Sequence, residues 1–126
     1  MIDRTRILDK LDDYLNHNNY TSAERHLHYW LNECDAVHDF RTALLIQNEL
    51  MGLYRKQGMR EAAFAVADAA LATVESHHIA EQIGAATTFL NAATVYKSFG
   101  DATRALPLYE QARTVYEREL PPNDRQ

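Results

Sequence analysis

The sequence predicts an all-α solenoid of three antiparallel helix pairs, and three observations carry that expectation. One pattern recurs three times: a tyrosine, a turn-forming residue four further on, an alanine five after that, and an alanine or tryptophan seven beyond it. The copies are Tyr14, Asn18, Ala23, Trp30, then Tyr54, Gly58, Ala63, Ala70, then Tyr96, Gly100, Ala105, Ala112. The tyrosines are spaced by 40 and 42 residues, the period of one helix–turn–helix unit. Apolar residues recur at helical spacing, and no strand-like alternation competes. A stack of such units presents a grooved face instead of an enclosed cavity, so its expected activity is to hold another polypeptide.

Taken in order, the helices are expected at about 3–17, 21–37, 39–57, 60–76, 79–99 and 102–119. The first turn within a pair is Asn16-His17-Asn18-Asn19, where asparagine tolerates left-handed backbone angles; Gly58 and Gly100 adopt them freely in the second and third. Thr21 with Glu24 reads as a capping box opening the second helix, and Asp101 as the N-cap of the sixth. Along the second helix Ala23, Leu27, Trp30 and Cys34 share one face, so Cys34 is expected as a buried thiol and Trp30 as filling the space that Ala70 and Ala112 leave open. The fourth helix, with eleven apolar residues from Ala62 to Val74, is expected to be buried on all sides. Pro107 should bend the sixth helix locally. The chain reads as one domain, with repeats at about 4–38, 39–78 and 79–120, and 121–126 as a tail or a linker to a further repeat.

Composition narrows the function. The 126 residues are 46% apolar and 25% charged, with a formal net charge of -5. No basic stripe appears, which argues against a nucleic-acid partner. The apolar run from Ala62 to Ala67 is far too short to span a bilayer, and Asp3 interrupts any export signal, so a soluble protein of the cytoplasm with no membrane partner is expected. Cys34 is the single cysteine, which suits a reducing compartment.

Candidate chemistry is sparse. No two of His17, His26, His28, His38, His77 and His78 stand three or four residues apart, the spacing a helical metal site needs, and His26 and His28 project about 200° apart on a helix. The pairs Glu24/His28 and His77/Glu81 have that spacing but supply two ligands each, so no metal is expected. Gly52, Gly58, Gly84 and Gly100 are scattered and form no phosphate loop, and Asp12 and Asp13 diverge on their helix. Neither an enzyme nor a cofactor is expected.

The segment Phe89-Leu90-Asn91-Ala92-Ala93-Thr94-Val95-Tyr96, followed by Gly100-Asp101, Ala105-Leu106, Tyr109 and Ala112, resembles a tetratricopeptide repeat. The long period is similar to the repeats of kinesin light chains and of related bacterial proteins. The second copy matches clearly and the first is degenerate, with Asn18 in the glycine position and Trp30 in place of a small alanine, as suits a terminal repeat.

The resemblance implies a right-handed superhelix whose first helices line a concave groove gripping an extended peptide or a partner helix. Carried over on the tyrosines, the groove positions are Thr5, Leu8, Asp9, Asp12 and Asn16, then Leu45, Asn48, Glu49, Gly52, Arg55 and Lys56, then Thr87, Leu90, Asn91, Thr94, Lys97 and Ser98. Asn91 falls where family members use an amide to hold a ligand's backbone; bonding to a neighbouring helix is an equal alternative. The form that clamps carboxylate tails is not expected, because Leu8 and Asp12 stand at its first-repeat positions and Asp9 and Asp12 repel a carboxylate.

The groove reads as acidic at one end (Asp9, Asp12, Glu49) and basic at the other (Arg55, Lys97), a polarity that either orients a peptide or is merely solvated. The leading reading is therefore a non-catalytic interaction scaffold. The alternatives are the sensor module of a peptide-responsive bacterial regulator and a self-assembly module. The sixth helix carries a wide apolar arc, so the chain is expected either to be a fragment of a longer array or to form a homodimer through that helix, at Leu108 and Val115.

Overall fold

The computed structural model describes residues 2–119, which form six helices: α1 (Arg4–Asn16), α2 (Tyr20–Ala36), α3 (Phe40–Lys56), α4 (Arg60–Ser76), α5 (Ile83–Ser98) and α6 (Ala102–Glu119). The expected tail 121–126 lies outside the described residues. The all-α helical-repeat architecture matches the expectation, and every helix but α5 begins and ends within a residue of it.

One device closes all five turns. Asn18, His38, Gly58, His78 and Gly100 each adopt positive φ, between 52° and 87°. The residue after each sends its N–H back to the carbonyl five earlier: Asn19 to Tyr14 at 2.8 Å, Asp39 to Cys34 at 2.9 Å, Met59 to Tyr54 at 2.9 Å, Ile79 to Val74 at 3.2 Å and Asp101 to Tyr96 at 2.8 Å. This satisfies carbonyls that a helix end leaves orphaned. His38 and His78 are thereby accounted for as turn residues. The late start of α5 has the same origin, since Ile79 extends the apolar pattern but belongs to the turn that seals α4. The two extra residues of the second tyrosine spacing sit between His78 and Ile83.

The expected capping box does not form. Asn19 caps α2 by accepting from Ser22 N–H at 3.2 Å, which places Thr21 inside the helix. Asp3, Asp39 and Asp101 cap α1, α3 and α6 in the same way. The α6 helix runs through Pro107 unbroken. Nor is α4 buried all round, because Ala65, Ala69 and Ala72 face solvent. Alanine there supplies helix propensity and a methyl too small to require cover.

The helices alternate in direction and form two layers, α1/α3/α5 and α2/α4/α6. Ala23, Ala63 and Ala105 are buried in the first turns of α2, α4 and α6, where a small side chain permits close approach. Within the first layer α3 touches α5 directly, whereas no comparable contact joins α2 to α4 or α4 to α6 among the described residues. Closer spacing of α3 to α5 curves the stack toward their side, and α1 joins the same layer through the Arg4–Thr42 bond, so the face over α1, α3 and α5 is taken as the concave one. Cys34 is buried in the core as expected, and burial first, then the nearby Asp39 carboxylate, pushes its thiol up, which leaves it unreactive. Trp30 differs from Ala70 and Ala112: they are fully buried, while its indole is half-buried, edge-on to Tyr29, at the rim of a cleft between α1 and α2. No preceding helix pair covers that rim among the described residues.

Candidate peptide-binding face

The recurring tyrosines fix the geometry of the concave layer. Tyr54 on α3 reaches back to α2, donating to Glu24 Oε2 at 2.7 Å with His28 Nε2 also at 2.7 Å. Tyr96 on α5 reaches back to Asp68 on α4 in the same way and accepts from Arg104 at 2.8 Å. His28 and Asp68 occupy the same repeat position. Each hydroxyl therefore locks a helix pair to the one before it, which sequence reading found only as a pattern.

A second set of bonds runs directly between concave-layer helices. Arg4 Nε of α1 donates to Thr42 Oγ1 of α3 at 2.8 Å, and Thr42 donates to Asp39 at 2.7 Å, which holds the Asp39 carboxyl below its ordinary range. Asn48 spends both amide protons within the fold, on Leu44 O and on Thr88 Oγ1 of α5, each at 2.9 Å. Its oxygen accepts from Asn91 Nδ2 at 2.8 Å. The amides that the resemblance offers to a ligand backbone thus build an Asn48–Asn91 ladder between α3 and α5. Asn91 retains one amide proton and its carbonyl oxygen for a ligand.

Beside this ladder lies an open cleft of about 570 Å³ lined by Arg4, Arg41, Leu44, Leu45, Asn48, Glu49, Ile79, Gln82, Gly84, Thr87 and Asn91. Of the expected groove residues it gathers Leu45, Asn48, Glu49, Thr87 and Asn91. Thr87 lies 3.1 Å from the Tyr116 hydroxyl of α6. Arg55, Lys97 and Ser98 lie outside the cleft, exposed at the far ends of α3 and α5, and Thr94 donates back to Leu90 O at 2.9 Å. Arg4 and Arg41 were missed, although Arg41, Leu45 and Glu49 stand four apart on one face of α3 and the helical period alone would have found them.

The charge pattern changes accordingly. The acidic residues stand mid-helix, with Arg4 and Arg41 toward one end of the layer and Arg55, Lys56 and Lys97 toward the other. Glu49 is the unusual member: it is half-buried, and among the described residues it makes no hydrogen bond or ion pair. Burial first, then the negative charge of Asp12, pushes its carboxyl above the ordinary range.

Each histidine has a local structural setting. His26 bonds Ile7 O at 2.9 Å, His17 bonds Asp13 O at 2.8 Å, and His77 stacks on Phe40 with ring centroids 3.8 Å apart. Among the described residues no group of three His, Cys, Asp or Glu could hold a metal ion, and no helix is long and apolar enough to cross a membrane. Of the two residues expected to pair copies, Val115 is 4% exposed and packs inside its own chain, because α6 turns that side onto α5; Leu108 is half-buried.

Residues 85–126 match the family model of the tetratricopeptide repeat, and the match takes in α5 from Ala85 onward, α6 and the positions of the third Tyr–Gly–Ala–Ala copy. The last third of the chain therefore carries a tetratricopeptide repeat. Such repeats generally mediate protein–protein interaction. No curated protein matches the chain.

Proposed function

We propose that the face over α1, α3 and α5 is a non-catalytic scaffold for an extended peptide or a partner helix that carries a basic side chain. Glu49 supports this reading above all. A half-buried carboxylate without a counter-ion raises the free energy of the empty cleft, and an incoming lysine or arginine relieves it. Asp12 strengthens the attraction. Arg4 and Arg41 at the rim repel a second basic residue on that side and favour an acidic one, which sets the direction of the bound chain. The remaining donor and acceptor of Asn91 suit a ligand's backbone amide, and Leu44, Leu45 and Ile79 supply apolar contact. A cleft of about 570 Å³ takes a few side chains and not a folded domain.

The test is selection from a random peptide library displayed against the purified protein, repeated with Glu49→Lys. The parent protein should enrich peptides with a lysine or arginine at a fixed position, and the variant should exchange that residue for an acidic one. Enrichment with no basic position, or an identical set from both proteins, would show that Glu49 does not read the ligand.

A further inference from the structure

The positions that receive the tyrosine hydroxyls recur in α6, where they receive nothing among the described residues. Phe64 and Asp68 of α4 meet Tyr96, the Phe64 ring edge-on at 5.2 Å and the Asp68 carboxylate on the hydroxyl. Forty-two residues on, the same positions are Leu106 and Glu110. Leu106 is 64% exposed, and among the described residues the Glu110 carboxylate meets only Arg113 of its own helix, at 3.2 Å.

At the opposite end Tyr14 is the member of the tyrosine series whose hydroxyl has no partner among the described residues. Its ring carries the Lys10 ammonium at 4.9 Å. The outward side of α1 places Arg6, Lys10 and Asp13 where α3 has Ile46, Leu50 and Leu53, three residues buried in the core. Beside it opens the cleft of about 620 Å³ rimmed by Trp30. This stripe sums to one positive charge, and the stripe Glu110, Arg113 and Glu117 on α6 sums to one negative charge.

We propose that a second copy of this chain docks head to tail, its α1 lying on α6 of the first as α5 lies on α4. Tyr14 donates to Glu110, Leu106 covers the Tyr14 ring, and the two charged stripes oppose each other. The contact joins unlike surfaces, so it repeats from copy to copy and builds an open stack instead of closing as a two-fold dimer. It leaves the concave cleft free and does not depend on what that cleft binds.

Sedimentation velocity of the 126-residue chain over a concentration series tests this, with two variants each blocked at one end. Leu106→Asp disables the tail, and Arg6→Glu with Lys10→Glu disables the head; circular dichroism and thermal melting confirm that both fold, as substitutions at exposed positions should allow. The parent mass should climb beyond two copies, each blocked variant alone should remain monomeric, and their mixture should form a one-to-one dimer and nothing larger. Tyr14→Phe should weaken association by about tenfold, the loss of one hydrogen bond to a charged acceptor. A parent that stays monomeric at every concentration, a mass that stops at two copies, or a head-blocked variant that still pairs with itself overturns the proposal.

Discussion

Replacing Tyr96 with phenylalanine removes one oxygen from the junction between the second and third helix pairs. Tyr96 is 1% exposed, and its hydroxyl donates to Asp68 while accepting from Arg104. A hydrogen bond to a charged group contributes about 1.5–3 kcal/mol. Asp68 and Arg104 have side chains 55% and 46% exposed and bond each other at 2.7 Å, so both remain partnered and hydrated after the change. That places the expected loss at the low end, about 1.5 kcal/mol. Urea unfolding of Tyr96→Phe, Asp68→Asn and the double variant should give a coupling of about 1 kcal/mol.

The same lock has an alkaline signature. Burial first, then the bond to a carboxylate, pushes the phenols of Tyr54 and Tyr96 well above their ordinary value of 10.0. The folded state favours the neutral phenol, so the contribution is complete below about pH 10, where the unfolded phenol titrates, and is lost as pH rises toward the folded values. The parent should therefore lose stability above about pH 10 more steeply than the Tyr54→Phe/Tyr96→Phe double variant. A coupling below about 0.5 kcal/mol together with superimposable alkaline limbs would refute the lock and leave the tyrosines as packing residues.

Two further substitutions separate ladder from surface. Asn48→Ala breaks three hydrogen bonds at once and should cost about 2 kcal/mol in denaturant melts, against about 1 kcal/mol for Asn91→Ala, which breaks one; equal and negligible losses would mean the ladder does not hold α3 to α5. Trp30→Ala should cost about 2 kcal/mol, roughly half the value for a fully buried indole, and a loss above about 4 kcal/mol would place Trp30 in the core after all.

The fold was legible because each level of the sequence agreed with the next. Asn18, Gly58 and Gly100 announced three left-handed turns, and the buried alanines at 23, 63 and 105 announced close packing. His38 and His78 carried no such signal. Histidine enters the left-handed region less readily than glycine, so the two turns between pairs are visible only in the backbone. Periodicity over-read α4, because alanine counts as apolar in a pattern but needs little burial. The candidate site was half legible. The resemblance, carried over on the tyrosines, placed Asn48, Glu49 and Asn91 in the groove, yet nothing in it shows that Asn48 is fully bonded within the fold, to Asn91 among others, and that Glu49 is not; that depends on the distance between α3 and α5, a tertiary quantity.

The bonded amides and the Glu49 carboxylate, unpaired among the described residues, act on each other's consequences. The Asn48–Asn91 ladder and the tyrosine locks hold α3 and α5 in fixed register, so under the proposed function the cleft need not order itself around a peptide and little of the binding free energy is lost to that ordering. Specificity then falls to the charges that the ladder leaves over, Glu49 and Asp12 against Arg4 and Arg41. In the proposed stack, α1 of one copy follows α5 of the last, and the concave layer continues with this charge set repeated once per copy. A partner with basic residues at matching intervals would engage several copies at once, and its second contact would be intramolecular. By linkage such a partner binds the stack more tightly than the single chain and so promotes stacking, whereas a short peptide filling one cleft leaves the association constant unchanged. Titrating the chain with one basic peptide and with its tandem repeat, while following mass by sedimentation, distinguishes these: growth with the tandem alone is expected, and growth with both would mean that cleft occupancy itself alters the junction.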